Sequence, residues 1–168
     1  MPTGSINSIN HIVSMVHQVP HDRILDIGCG YGKYGLLLRE YLNEKPITLD
    51  ALEATKDYVK DFRWLNCIYD NIINVDATLL TEEFYNNYNV VMINDVIEHI
   101  EKDKALALLK RIKGYVVIAT PSVFFKQSVE GKPFEDHLSF WERKDFEGRE
   151  EVYYEDKGGI YCRLKPLI

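Results

Sequence analysis

Gly28 and Gly30 lie in Ile27-Gly28-Cys29-Gly30-Tyr31-Gly32-Lys33, directly after the apolar run Ile24-Leu25-Asp26-Ile27. Glycine has no Cβ, so backbone here can approach a bound molecule closely. A helix opening just beyond would offer unpaired N–H groups that favour a carboxylate or phosphate. A complete dinucleotide fingerprint needs a third glycine at position 33, where this chain has Lys33. Farther along, Asp50 and Glu53 are carboxylates of the kind that accepts hydrogen bonds from both hydroxyls of a ribose. A second group stands in Asn94-Asp95-Val96-Ile97-Glu98-His99, with His137 in Pro133-Phe134-Glu135-Asp136-His137. Two imidazoles and two carboxylates suit a divalent metal such as Mg²⁺, Mn²⁺ or Zn²⁺. An imidazole can also take a proton from a hydroxyl directly.

Strands ending beside these groups are needed to hold them. Arg23 to Ile27 reads as the first, followed by a helix from about Tyr31 to Asn43. Ile47–Leu52 reads as a second strand, Lys56 to Phe62 as a short helix and Asn71 to Val75 as a third strand, with Leu80 to Tyr85 weakly helical. Asn89-Val90-Val91-Met92-Ile93-Asn94 and Tyr115-Val116-Val117-Ile118-Ala119-Thr120 are near-continuous apolar runs, as expected of central strands covered on both faces. Between them Leu106, Leu109 and Ile112 recur at helical spacing in Lys102 to Lys113. Ile6, Ile9, Ile12, Val13 and Val16 mark an amphipathic N-terminal helix within residues 1–20. Pro121 to Ser139 is long and irregular, and segments of this kind are usually functional. Glu151 to Glu155 and Ile160 to Leu164, around Asp156-Lys157-Gly158-Gly159, read as a β-hairpin. The alternation predicts an α/β fold: a doubly wound, Rossmann-like sheet with an antiparallel hairpin strand at its edge, all in one domain over residues 1–168.

Asp26 followed by Gly28, Gly30 and Gly32 looks like motif I of the class I S-adenosylmethionine-dependent methyltransferases, in the type 11/12-like superfamily. The resemblance runs from about Arg23 to Leu164. It implies a seven-stranded sheet with one antiparallel strand, and S-adenosyl-L-methionine as cofactor. Gly28 and Gly30, with Cys29 between them, would lie against the amino-acid portion of the cofactor, while Asp26 holds the loop. Tyr31 would be a lid on that pocket, with core packing as the alternative. Glu53, followed by Ala54, would take the ribose, because Glu53-Ala54-Thr55-Lys56-Asp57-Tyr58-Val59 fits the family pattern better than Asp50 does. Asp50 then reads as a turn or helix-entry acid. Asp76 would accept from the adenine amine, with Ala77 leaving room for the ring; the alternative for Asp76 is a helix cap. Asn94 would contact the methionine end.

The Asp-x-x-Glu-His sequence at Asp95–His99 is similar to one in small-molecule O-methyltransferases of this class. A related Glu-x-x-Glu-His occurs in enzymes that methylate the terminal ribose of small RNAs. There the acids and the histidine, with a second histidine from the loop after the fifth strand, hold a divalent metal. Asp95, Glu98, His99 and His137 are the matching positions, although Asp95 is shorter than the family's glutamate and the intervening loop is shorter. For Glu98 and His99 three readings stand: a structural turn, a metal site with His137, or metal-free acid–base catalysis in which Glu98, His99 and His137 are the catalytic groups. Residues 121–141 would form the acceptor side, with Phe140 and Trp141 as its hydrophobic anchor. His11, His17, His21 and Lys33 read as surface residues.

These likenesses imply transfer of a methyl group to a small-molecule acceptor, most readily at oxygen. A metal-dependent 2′-O-methyltransferase of RNA ends is the enzymatic alternative, and an inactive cofactor-binding module the non-enzymatic one. The acceptor pocket would be built by the N-terminal helix and the loop after the fifth strand, with a second copy of the chain, as a homodimer, able to contribute. The net charge of −6 argues against a nucleic-acid partner. Three scattered cysteines, Cys29, Cys67 and Cys162, show no zinc or redox spacing and suit a reducing cytoplasm. Neither a signal peptide nor a bilayer-spanning apolar run is apparent.

Overall fold

The computed structural model of the protein describes residues 6–61, 63–125 and 133–167. Phe62, at the end of the expected third helix, and Gly131, in the expected acceptor-side loop, lie outside them. Seven strands are present: β1 (Arg23–Ile27), β2 (Thr48–Leu52), β3 (Asn71–Ile73), β4 (Val90–Asn94), β5 (Tyr115–Thr120), β6 (Glu150–Asp156) and β7 (Gly159–Leu164). The helices are α1 (Ser8–His17), α2 (Lys33–Tyr41), α3 (Lys56–Asp61), α4 (Leu65–Ile68), α5 (Glu82–Tyr85) and α6 (Lys102–Arg111). The strands form one sheet in the order β3-β2-β1-β4-β5-β7-β6. Its first five strands pair in parallel, so the chain order reverses between β1 and β4. Open α/β sheets bind ligands at that reversal, outside the carboxyl ends of the strands.

Successive residues of a strand face opposite sides, which divides the core in two. On one side Leu25, Val91, Ile93, Val116 and Ile118 pack with Leu108 and Leu109 of α6, Tyr85 of α5, Trp141 and Phe146. On the other, Ile24, Val90, Met92, Val117 and Ala119 meet Ile12 and Val16 of α1, Leu38 of α2 and Leu65 of α4. α4 has no sequence signal of its own length and was not foreseen. It meets α2 closely: a Cβ on Gly35 would lie 2.4 Å from the Tyr69 ring. The Tyr69 hydroxyl then donates to Asp26 at 2.6 Å.

One expectation is met here and one is corrected. The hairpin closes the sheet at one edge as expected, with β6 outermost and β7 inside, antiparallel to both β5 and β6. All of β7 is buried and none of β6 is, so the apolar arm of the hairpin takes the covered position. The acidic arm is left outside, where charge discourages pairing with another chain. Asp50 is not a turn acid: it lies within β2, 5% exposed. Its carboxylate accepts from the Tyr88 hydroxyl at 2.9 Å and the Asn71 amide at 2.8 Å.

Burial raises the Asp26 carboxyl to about 7, against the opposing hydrogen bond from Tyr69. The native state therefore holds this proton at pH values where the unfolded chain has lost it. The contribution of this group to stability falls as pH rises from the unfolded value near 3.8 towards 7, by at most about 1.4 kcal/mol per pH unit. Asp26→Asn should raise the slope of urea-unfolding stability against pH in that window. Equal slopes in both proteins would show that Asp26 titrates normally.

Candidate active site

The crevice at the sheet reversal holds about 700 Å³ of space between its walls, part of it open to solvent. Its floor is the loop after β1. Gly28, Gly30 and Gly32 all have left-handed φ angles, 71°, 51° and 80°. Gly28 is obligatory for a second reason, since a Cβ there would lie 2.2 Å from Cγ2 of Val96. The loop is tied to β2 by the Gly28 N–H, which donates to the Leu52 carbonyl at 2.7 Å. It is also tied to Glu53, whose Oε2 accepts from the Gly30 N–H at 3.0 Å. Oε1 of Glu53 accepts from the Thr55 N–H at 2.8 Å. Burial raises the Glu53 carboxyl, and these two donors work against that rise.

Asp76 and Ala77 line the crevice beyond Glu53. Oδ1 of Asp76 caps the 3₁₀ turn Ala77–Leu79, accepting from the N–H and the hydroxyl of Thr78, each at 2.8 Å. The helix-cap reading of Asp76 is therefore realised, at a position that also faces the crevice. Tyr58 of α3 and Glu135 complete this end, the tyrosine hydroxyl donating to the glutamate. Sequence reasoning did not single out either residue for this clasp.

The opposite end is lined by Asp95, Val96 and His99. Asp95 has φ 54°, the one non-glycine residue in the left-handed region among those described. Behind it, the turn Ile97–His99 is sewn to the segment carrying His137. The N–H groups of Leu138 and Ser139 donate to the Glu98 carbonyl at 2.8 and 3.0 Å, and the Ser139 hydroxyl donates to the Ile97 carbonyl at 3.1 Å. Trp141 fixes the segment: it is fully buried, stacked on Phe146, and its indole N–H reaches Ser139 at 2.9 Å. Lys102 lies over its ring at 3.7 Å.

His99 and His137 come together, ring centroids 4.8 Å apart. Nδ1 of His99 is 3.0 Å from the Asp136 carbonyl, and Nδ1 of His137 is 3.1 Å from the Phe125 carbonyl. A carbonyl only accepts, so each Nδ1 carries the hydrogen and each Nε2 keeps its lone pair. Burial lowers both imidazoles below their ordinary value, which favours the neutral ring. Glu98 stands beside them, 3% exposed, accepting from the Thr120 hydroxyl at 3.0 Å. Burial first, and the charge of Asp95 second, push its carboxyl up to about 8. Ligand atoms of Glu98, His99 and His137 lie within 4.8 Å of one another, a spacing that a metal ion could draw together.

Of the expected cofactor residues, Gly28, Gly30, Glu53, Ala54, Asp76 and Ala77 line one crevice. Asp26, Cys29, Tyr31 and Asn94 do not. Asp26 braces Tyr69, Cys29 is packed in the core, and Tyr31 meets Tyr58 edge-on at 5.6 Å. The Asn94 side chain is buried with neither polar atom hydrogen-bonded among the described residues. Asp95 lines the crevice but lies outside the Glu98–His99–His137 cluster. α1 packs on β5, β7 and α2 and contributes no crevice residue. Lys33 is not simply solvated; burial lowers it, and it sits over the Tyr34 ring at 4.4 Å. His11 is stacked on Tyr161 at 4.6 Å rather than free on the surface. No described helix is long and apolar enough to cross a membrane.

No protein-family profile matches the sequence, and no curated protein is significantly similar to it. Solved structures do match. The N-terminal domain of EvdMO1 with SAH bound is 13% identical with a TM-score of 0.69, over 97% of this chain and 82% of that one. The methyltransferase domain of bacterial CtHen1 is 16% identical with a TM-score of 0.65, over 96% of this chain and 100% of that one. A Rhodobacter sphaeroides structure bearing the name of Zn-dependent alcohol dehydrogenases matches as well, 10% identical with a TM-score of 0.69, over 100% and 92%. At such identities a likeness speaks for architecture, and these names diverge in activity. What they establish, with the strand order above, is that the chain has the seven-stranded, Rossmann-like fold of the class I methyltransferases.

Proposed function

We propose that the protein is an S-adenosylmethionine-dependent methyltransferase acting on a hydroxyl of a small molecule. The observation that carries this reading is the crevice itself. Glu53 and Asp76 stand beside the glycine loop as they would to take a ribose and an adenine amine, and His99, whose ring packs against His137, also lines the crevice. Glu53, Asp76, Asp95 and Glu135 all line it, and among its described lining residues there is no lysine or arginine. Such a surface repels a pyrophosphate and suits a cation, which disfavours the dinucleotide alternative.

S-adenosylmethionine supplies a methyl group activated on a sulfonium. The protein's part is to hold donor and acceptor in line and to exclude water. Neutral His99, its Nδ1 fixed on the Asp136 carbonyl, has Nε2 available to take the acceptor's proton. The flank around His137 is apolar: Phe124, Phe125, Phe134, Leu138 and Phe140 are each roughly half exposed, and the Phe125 ring packs on His137 at 4.4 Å. Exposed apolar clusters beside a polar site favour a small, largely apolar acceptor.

A second reading, a divalent metal held by Glu98, His99 and His137, is favoured by their ligand spacing and by the carbonyl anchors on both Nδ1 atoms. The ion would lower the pKa of a bound hydroxyl. An RNA end as acceptor fits this reading less well, because the four crevice carboxylates oppose phosphates. Calorimetric titration with S-adenosylmethionine and S-adenosylhomocysteine tests the proposal. Binding of at least one at micromolar levels is expected; no heat with either up to millimolar ligand overturns it.

A further inference from the structure

We infer, resting on the crevice reading above, that Asp95 makes this site select the sulfonium donor over its thioether product. The two ligands share adenosine and the amino-acid end, and differ by one positive charge at sulfur. Glu53, Asp76 and Ala77 mark the adenosine end of the crevice. Sulfur, attached beyond the ribose, then falls towards the end lined by Gly28, Asp95, Val96 and His99. Asp95 is the one acidic residue among them, and its Oδ2 is buried with no hydrogen bond among the described residues.

Its backbone is unusual in a way that bears on this. A left-handed φ of 54° is unfavourable for most residues, though aspartate and asparagine tolerate it. The strained residue directly follows β4, where its N–H donates to the Ala119 carbonyl at 2.8 Å. Strain of this kind gathers at functional positions. The groups whose charge it meets are Glu98, which it raises, and Lys33, Tyr34, Tyr161 and His137. Lys33 offsets one negative charge, but it lines none of the crevice, whereas Glu53, Asp76 and Glu135 line it together with Asp95. A sulfonium there meets a net negative field in a partly desolvated cleft, and the neutral thioether does not. Loss of the charge on methyl transfer weakens the product's hold and speeds its departure.

Calorimetry in the presence of EDTA tests this without an acceptor. The wild type should bind S-adenosylmethionine about tenfold or more tightly than S-adenosylhomocysteine. An analogue with an ammonium in place of the sulfonium should follow the donor. Asp95→Asn keeps the backbone preference and removes the charge, so the donor-to-product ratio should collapse towards one, with product affinity changing little. Equal wild-type affinities, or an unchanged ratio in Asp95→Asn, overturn the inference and leave the crevice reading standing. Failure of both ligands to bind the wild type overturns the two together. Should the variant not fold, the three wild-type affinities decide.

Discussion

Glu53→Ala is expected to lower the affinity for S-adenosylmethionine by about a hundredfold or more, as read by titration of the purified protein. The magnitude follows from hydrogen bonds to a charged group, each worth about 1.5–3 kcal/mol, when about 1.4 kcal/mol corresponds to tenfold. The loss has two parts. The ribose hydroxyls lose their acceptor, and the Gly30 and Thr55 N–H groups lose theirs. Without that anchor the glycine loop is less well ordered before any ligand arrives. Glu53→Gln separates the parts. It keeps one oxygen for one backbone N–H and lacks the charge and the second acceptor, so its affinity should fall between wild type and alanine. Thermal unfolding checks that both variants fold. An alanine variant binding as tightly as wild type would mean that the ribose is held elsewhere.

Much of the frame was legible because buried parallel strands write themselves as apolar runs. β4 and β5 followed from Val90–Asn94 and Tyr115–Thr120, which are covered on both faces almost throughout. The glycine loop was legible because left-handed backbone selects glycine. Other features depend on distant partners. α4 is short, and its place is set by Gly32 and Gly35 of another segment packing on Leu65, Ile68 and Tyr69. Arg149 caps the end of α6, donating to the carbonyls of Leu109, Ile112 and Gly114, a role that local sequence does not signal. Asp50 resembled a turn acid because mid-strand carboxylates are rare, and only Tyr88 and Asn71 make it tolerable. In the site, the pairing of His99 with His137 was anticipated by resemblance. The Tyr58–Glu135 clasp, and the separation of Asp95 from the histidine cluster, depend on side-chain geometry that spacing does not encode.

His99→Ala should reduce turnover by about 10²–10⁴-fold, the usual contribution of a positioned proton acceptor. Turnover is read as S-adenosylhomocysteine formed with a hydroxyl-bearing acceptor. Donor affinity should change little, because the adenosine contacts lie at the far end of the crevice. The pH profile carries the sign. Burial lowers the His99 pKa, so the ring stays unprotonated throughout the neutral range and the acid limb of the profile should lie below 6.5. Glu98→Gln then separates metal-free proton transfer from the metal reading. With no ion present the Glu98 carboxyl, pushed up to about 8 by burial, is protonated at neutral pH, and glutamine imitates it closely. Turnover near neutral pH should then survive both the substitution and EDTA. A metal inverts that logic: its charge would keep Glu98 ionised as a ligand, and glutamine would weaken the site. Loss of turnover in EDTA, restored by Mn²⁺ or Zn²⁺ in wild type but not in Glu98→Gln, would transfer the chemistry from the imidazole to the ion. Full activity in His99→Ala would remove both readings, because each assigns Nε2 of this residue a direct part.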